Sequence, residues 1–127
     1  LNCYYLTMID KVFAKEQYEK LKTLFWKDGM ISGLKEYWDR TCYVGMDIDA
    51  GPILFELSPS GTAFFAGSAT FYNDTVIRKG ILKTAEIVGH TIKMGNKKHY
   101  LLANVALVGE SIMLAMRTHF NVDKRDN

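Results

Sequence analysis

The chain has 127 residues, 48 % of them apolar and 24 % charged, with a formal net charge of +2. Such a length fits one globular domain over residues 1–127, able to bury roughly two thirds of the surface its unfolded form exposes and too small for a second core. No apolar run reaches the ~18 residues that a membrane span needs, and the slight net charge does not announce a nucleic-acid partner. Lys97, Lys98, His99, Lys124 and Arg125 read as solvated basic spots.

Residues 2–9 carry the aromatic and β-branched bias of a strand, which Asp10 ends. Tyr18, Leu21 and Phe25 are then spaced for a helix. Gly29 and Gly33 interrupt that pattern before Leu34 and Trp38 resume it, so one broken helix or two short ones fit equally. From Arg40 the period is two, with Cys42, Val44, Met46 and Ile48 on one face and Thr41, Tyr43, Gly45 and Asp47 on the other. After the Asp49-Ala50-Gly51-Pro52 turn, Ile53, Phe55 and Leu57 alternate as a strand. Ser58-Pro59-Ser60-Gly61 reads as a hairpin turn into a second strand over residues 62–66. Parity predicts that Cys42, Val44, Met46, Ile48, Phe55 and Leu57 are buried, with Thr41, Asp47, Glu56 and Ser58 on the opposite side.

Beyond Gly67, the spacing of Ile77, Ile81, Ala85, Val88 and Ile92 predicts a long amphipathic helix lying on a sheet, with Asn73, Asp74 and Thr75 as capping candidates. Gly95-Asn96 turns the chain, and residues 100–108 and 112–120 read as strands around Gly109-Glu110. The order β-α-β-β-β-α-β-β predicts an α+β fold, an antiparallel sheet with both helices on one face.

Catalytic signals are weak. His90, His99 and His119 match no zinc spacing, and Cys3 and Cys42 lack a close second thiol. The two cysteines read as buried thiols of an intracellular protein, nuclear or cytoplasmic, with a bridge as the alternative. Asp47 and Asp49 share a strand face and could share a cation or proton, although a solvated strand end accounts for them as well. Ser58 and Ser60 lie between strand-like runs, where a nucleophile elbow needs a strand-to-helix turn. The expectation is a protein without catalysis, cofactor or metal. The start at Leu1 and the missing secretory leader fit a piece of a longer chain.

The strand, turn, strand, Gly, helix order, with Ser60-Gly61, Ala66-Gly67, Glu36-Tyr37, Arg40, Val44, Met46 and Ile48 in place, resembles a repeat of the TATA-box-binding protein family over about residues 36–94. That resemblance implies a curved, saddle-like sheet pressing into the minor groove of duplex DNA. Asn2 and Asn104 fall where the family places its minor-groove asparagines, and Tyr4 and Phe64 are the aromatics placed to stack or wedge. Thr41 and Ser58 stand where the family has inserting Phe residues, and Asp47 and Glu56 would put carboxylates on the concave face. One repeat and the opening strands of another are present, so a full saddle requires more chain or a homodimer. The implied partners are duplex DNA or a transcription protein. A protein-interaction module of the same fold and a small-molecule-binding α+β domain are the rivals.

Overall fold

The computed structural model describes residues 2–47, 51–89 and 91–100, together with 112, 114–116 and 118. They form a mixed α+β fold in the order α1 (Asn2–Ile9), α2 (Lys11–Phe25), β1 (Trp26–Lys27), β2 (Gly33–Leu34), β3 (Val44–Asp47), β4 (Gly51–Leu54), α3 (Pro59–Phe71), α4 (Thr75–Val88), β5 (Thr91–Met94) and β6 (Lys97–Tyr100). The strands make three separate antiparallel pairs, β1–β2, β3–β4 and β5–β6. A single curved sheet carrying both helices is therefore not what the described residues build.

The first expected strand is helix α1. Cys3, Tyr4 and Thr7 are its buried residues, a one-turn spacing that packing rewards over the strand bias of the aromatic and β-branched side chains. Thr7 settles its hydroxyl within the helix by donating to the Tyr4 carbonyl at 2.7 Å. Asp10, expected to end a strand, caps α2 instead, accepting from the amides of Val12 at 3.0 Å and Phe13 at 2.9 Å.

The larger departure is α3, which replaces the expected turn and strand over residues 58–66. Ser58 is its N-cap, accepting from the Gly61 amide at 3.2 Å, and Pro59 follows at the first helical position. That pairing starts a helix as readily as it makes a turn. Thr62, Ala63, Phe65, Ala66, Gly67, Ser68 and Ala69 are all buried, so the helix has little polar face and no amphipathic period to announce it. It touches α1, α4, β2 and β4. Gly67 is required where α1 crosses, since a Cβ there would lie 2.7 Å from Cδ2 of Tyr4 and 2.5 Å from Sδ of Met116.

Helix α4 forms where expected, capped by Asp74 on the Ile77 amide at 3.2 Å, with Ile77 and Ile81 buried but Val88, expected on the same inward face, exposed. It packs on α3 and β2 rather than on a broad sheet. It also ends before Ile92, which belongs to β5. The core gathers around Tyr18, whose ring stacks on Phe65 at 5.0 Å and lies 4.8 Å from Tyr72. Of the helical pattern expected over residues 16–38, only the part up to Phe25 is helix. Beyond it, β2 is tied to α3 by the Leu34 amide donating to Thr62 Oγ1 at 3.0 Å.

Strand β3 lies where period two placed it, paired with β4 from Val44↔Leu54 to Asp47↔Gly51. The parity expectation holds for Leu57, which is buried, and fails for Val44 and Phe55, which are exposed, for Cys42, which is only partly buried, and for Ser58, which is buried. At Phe55 and Ser58 parity fails because the chain leaves strand geometry after Leu54, whereas Val44 is exposed within the regular pairing of β3 and β4. The Gly95-Asn96 turn is found, between β5 and β6. Residues 101–111, and with them most of the first C-terminal strand expected, lie outside the described residues. Residues 112, 114–116 and 118 are helical rather than strand.

Candidate functional site

Of the four residues assigned to DNA, the three that are described do not share an open sheet face. Asn2 is exposed at the start of α1. Tyr4 is only 3 % exposed, and Phe64 is half-buried against the core from α3. Both aromatics serve helix packing, which corrects the expectation that they stand on a strand face as wedges. Asn104, Asp49, His90 and His119 lie outside the described residues. Cys3 and Cys42 are both unbridged thiols, and burial pushes the Cys3 thiol up. Among the described residues no group of three or more His, Cys, Asp or Glu could hold a metal ion, and no helix is long and apolar enough to cross a membrane.

What the structure does assemble is a strained turn displaying an aromatic side chain. Leu54 and Leu57 exchange amide–carbonyl bonds at 3.2 and 2.9 Å, closing a two-residue loop in which Phe55 has φ 55° and Glu56 has φ 72°. Two consecutive left-handed residues are the signature of a primed hairpin turn, a place that Asn-Gly fills without strain. Side chains with a Cβ cost about 1–2 kcal/mol each there. Glu56 has an internal reason to be present. Its carboxylate pairs with Lys27 and also accepts from Thr41, and the Lys27 ammonium foremost holds its carboxyl below the ordinary value.

Phe55 has no comparable reason, since the residue is 55 % exposed. Its amide donates to the Tyr43 carbonyl at 2.7 Å, which sets it beside Tyr43, 63 % exposed, and Val44, 80 % exposed. The Lys27 ammonium lies 5.8 Å from the Tyr43 ring centre, and the Arg40 guanidinium stacks 3.7 Å from that of Tyr37. Trp38, on the intervening loop, is 66 % exposed. Glu36 joins the turn through its backbone, its amide donating to the Glu56 carbonyl at 2.9 Å. Its Oε2 is shielded from solvent and meets no donor among the described residues.

Reading the sequence missed this site because Phe55 looked like one more inward member of an alternating strand. No Gly or Asn marks the turn. A second exposed apolar face, formed by Tyr5, Met8, Ile9 and Val12 where α1 meets α2, has neither strain nor an unmet polar atom to indicate what would cover it. The chain matches no protein-family model, no curated protein and no solved structure.

Proposed function

We propose that this chain is a non-catalytic recognition domain that binds a protein partner through the turn at Phe55 and the neighbouring Tyr43 and Val44. The observation that supports this most is Phe55 itself: an exposed aromatic ring kept on a strained backbone where a smaller residue would cost less. Strain of this kind collects where a surface is selected for contact rather than for stability, and aromatic anchors dominate protein–protein contacts. Selection of a random dodecapeptide phage library on the folded protein tests it. Enriched peptides are expected to lose about tenfold or more in affinity on Phe55→Gly, the scale of a contact hot spot. Peptides that bind wild type and Phe55→Gly equally would remove the turn from the contact.

Duplex DNA remains the second reading, favoured by a different feature. The β5–β6 hairpin carries the cations Lys93 and Lys97, which a bound phosphate would neutralise. Lys93 and Lys97 are exposed, as are Lys79 and Lys83 on α4. Titration of a fluorescent duplex at several salt concentrations tests this, with an expected log–log slope of about −0.9 per phosphate contacted. Absence of binding at low salt eliminates it. An intracellular location, in nucleus or cytoplasm, accompanies either role.

A further inference from the structure

Resting on the recognition role proposed above, we infer that the partner supplies an extended segment that adds as a third strand to the outer edge of β3, bonding to the backbone of Val44 and Met46. The register fixes which groups that edge presents. The Phe55 amide donates to the Tyr43 carbonyl, and in an antiparallel ladder bonded and non-bonded pairs alternate. Tyr43, Gly45 and Asp47 therefore turn their amides and carbonyls toward β4. Those of Val44 and Met46, opposite Leu54 and Pro52, point away from it.

Among the described residues β3 pairs with β4 alone, and Val44 is 80 % exposed, so its outward groups face water. The outer edge of β4 is less suited to a partner, because Pro52 has no amide hydrogen to present there. Tyr43 to Met46 has neither Pro nor Lys to blunt pairing. The Val44 carbonyl accepts from the Cys42 thiol at 3.7 Å, a weak donor that leaves a lone pair for an amide. A row of outward amides and carbonyls is matched by another extended backbone, and not by a helix whose own groups are already bonded. The edge is continuous with the proposed contact, since Val44 belongs to both.

The experiment uses peptides enriched on the whole chain from a random dodecapeptide phage library. Each is resynthesised with a single N-methyl group at successive amides and titrated against wild type, Phe55→Gly and Val44→Pro, the variants checked for fold by circular dichroism. Val44→Pro removes an outward amide and no bond of the β3–β4 ladder. Two peptide amides two residues apart, donating to the Val44 and Met46 carbonyls, are expected to lose about tenfold in affinity when methylated, with the amide between them unaffected. Val44→Pro is expected to weaken binding by about tenfold as well. Methylation that weakens binding nowhere, or at consecutive amides alike, overturns the strand addition, whether or not Val44→Pro folds. A folded Val44→Pro that binds as wild type does overturns it too. So does a peptide-free chain that sediments as a dimer and becomes monomeric on Val44→Pro, because the edge then belongs to a second copy. If Phe55→Gly still weakens the peptides, the recognition role survives these failures. If Phe55→Gly changes nothing, or if no peptide is enriched, the recognition role fails with the strand addition.

Discussion

Lys27 donates both to the Phe55 carbonyl, at 3.2 Å, and to the Glu56 carboxylate, so one ammonium ties down both residues of the left-handed turn. The strain is thus held by a side chain from β1, far away in sequence. Phe55 contributes only its carbonyl to that clamp, and the ring can be changed without breaking it. Phe55→Asn, which suits φ near 55°, is expected to raise stability by roughly 0.5–1 kcal/mol in urea unfolding, by relieving left-handed strain. A loss above about 1 kcal/mol would mean that the ring packs on the fold and is not displayed for a partner.

Sequence pattern located α4 and β3. Ile77 and Ile81, with Asp74 ahead of them, gave α4 because a half-exposed helix must repeat its apolar residues every three or four positions. Period two likewise located β3. It failed at α3, where Ala63, Phe65, Ala66 and Ala69 are buried along with the small polar residues between them, leaving no period to read. It failed at α1 because Cys3, Tyr4 and Thr7 also fit a strand in a window of eight residues. The turn at Phe55 and Glu56 was illegible for a different reason. Its conformation is imposed by Lys27 and the Leu54–Leu57 bonds, not by turn residues of its own.

Ile81 and Val44 separate burial from apolarity. Both were expected in the core, yet Ile81 is 1 % exposed and Val44 stands almost wholly in solvent. Ile81→Ala is expected to cost roughly 2–5 kcal/mol, transfer plus cavity, whereas Val44→Ala should stay within about 0.5 kcal/mol. Chemical denaturation of both variants checks this, and similar costs would overturn the packing of β3.

Thr84 and Ser32 form a reciprocal pair across 52 residues. The Ser32 amide donates to Thr84 Oγ1 at 2.6 Å, and the Thr84 hydroxyl donates to the Ser32 carbonyl at 2.7 Å. Both residues are buried, so Thr84→Val leaves an amide and a carbonyl without partners. A loss of about 1–3 kcal/mol is expected. Thr84→Ser keeps both bonds and should retain most of the stability; equal losses in the two variants would show that the methyl, not the hydroxyl, matters.

Asp74 links α2 to the start of α4. Its carboxylate accepts from Tyr18 at 2.9 Å and Lys22 at 2.6 Å, and it caps the Ile77 amide. Burial pushes its carboxyl up, but the bonds from Lys22, Ile77 and Tyr18 together hold it below the ordinary 3.8. A carboxyl lowered on folding binds fewer protons in the native state than in the unfolded one. Its stabilisation is therefore complete above about pH 4 and is lost as pH falls through the depressed folded value. Asp74→Asn keeps a capping oxygen and removes the charge. It is expected to destabilise the protein at pH 7 by roughly 1–3 kcal/mol, the range for a hydrogen bond to a charged group, and to flatten the loss of stability below pH 4. Urea unfolding of both proteins from pH 7 to pH 2 checks the sign. If the gap between them does not narrow as the acid limb is descended, the carboxylate contributes nothing as an anion and Asp74 acts only as a cap.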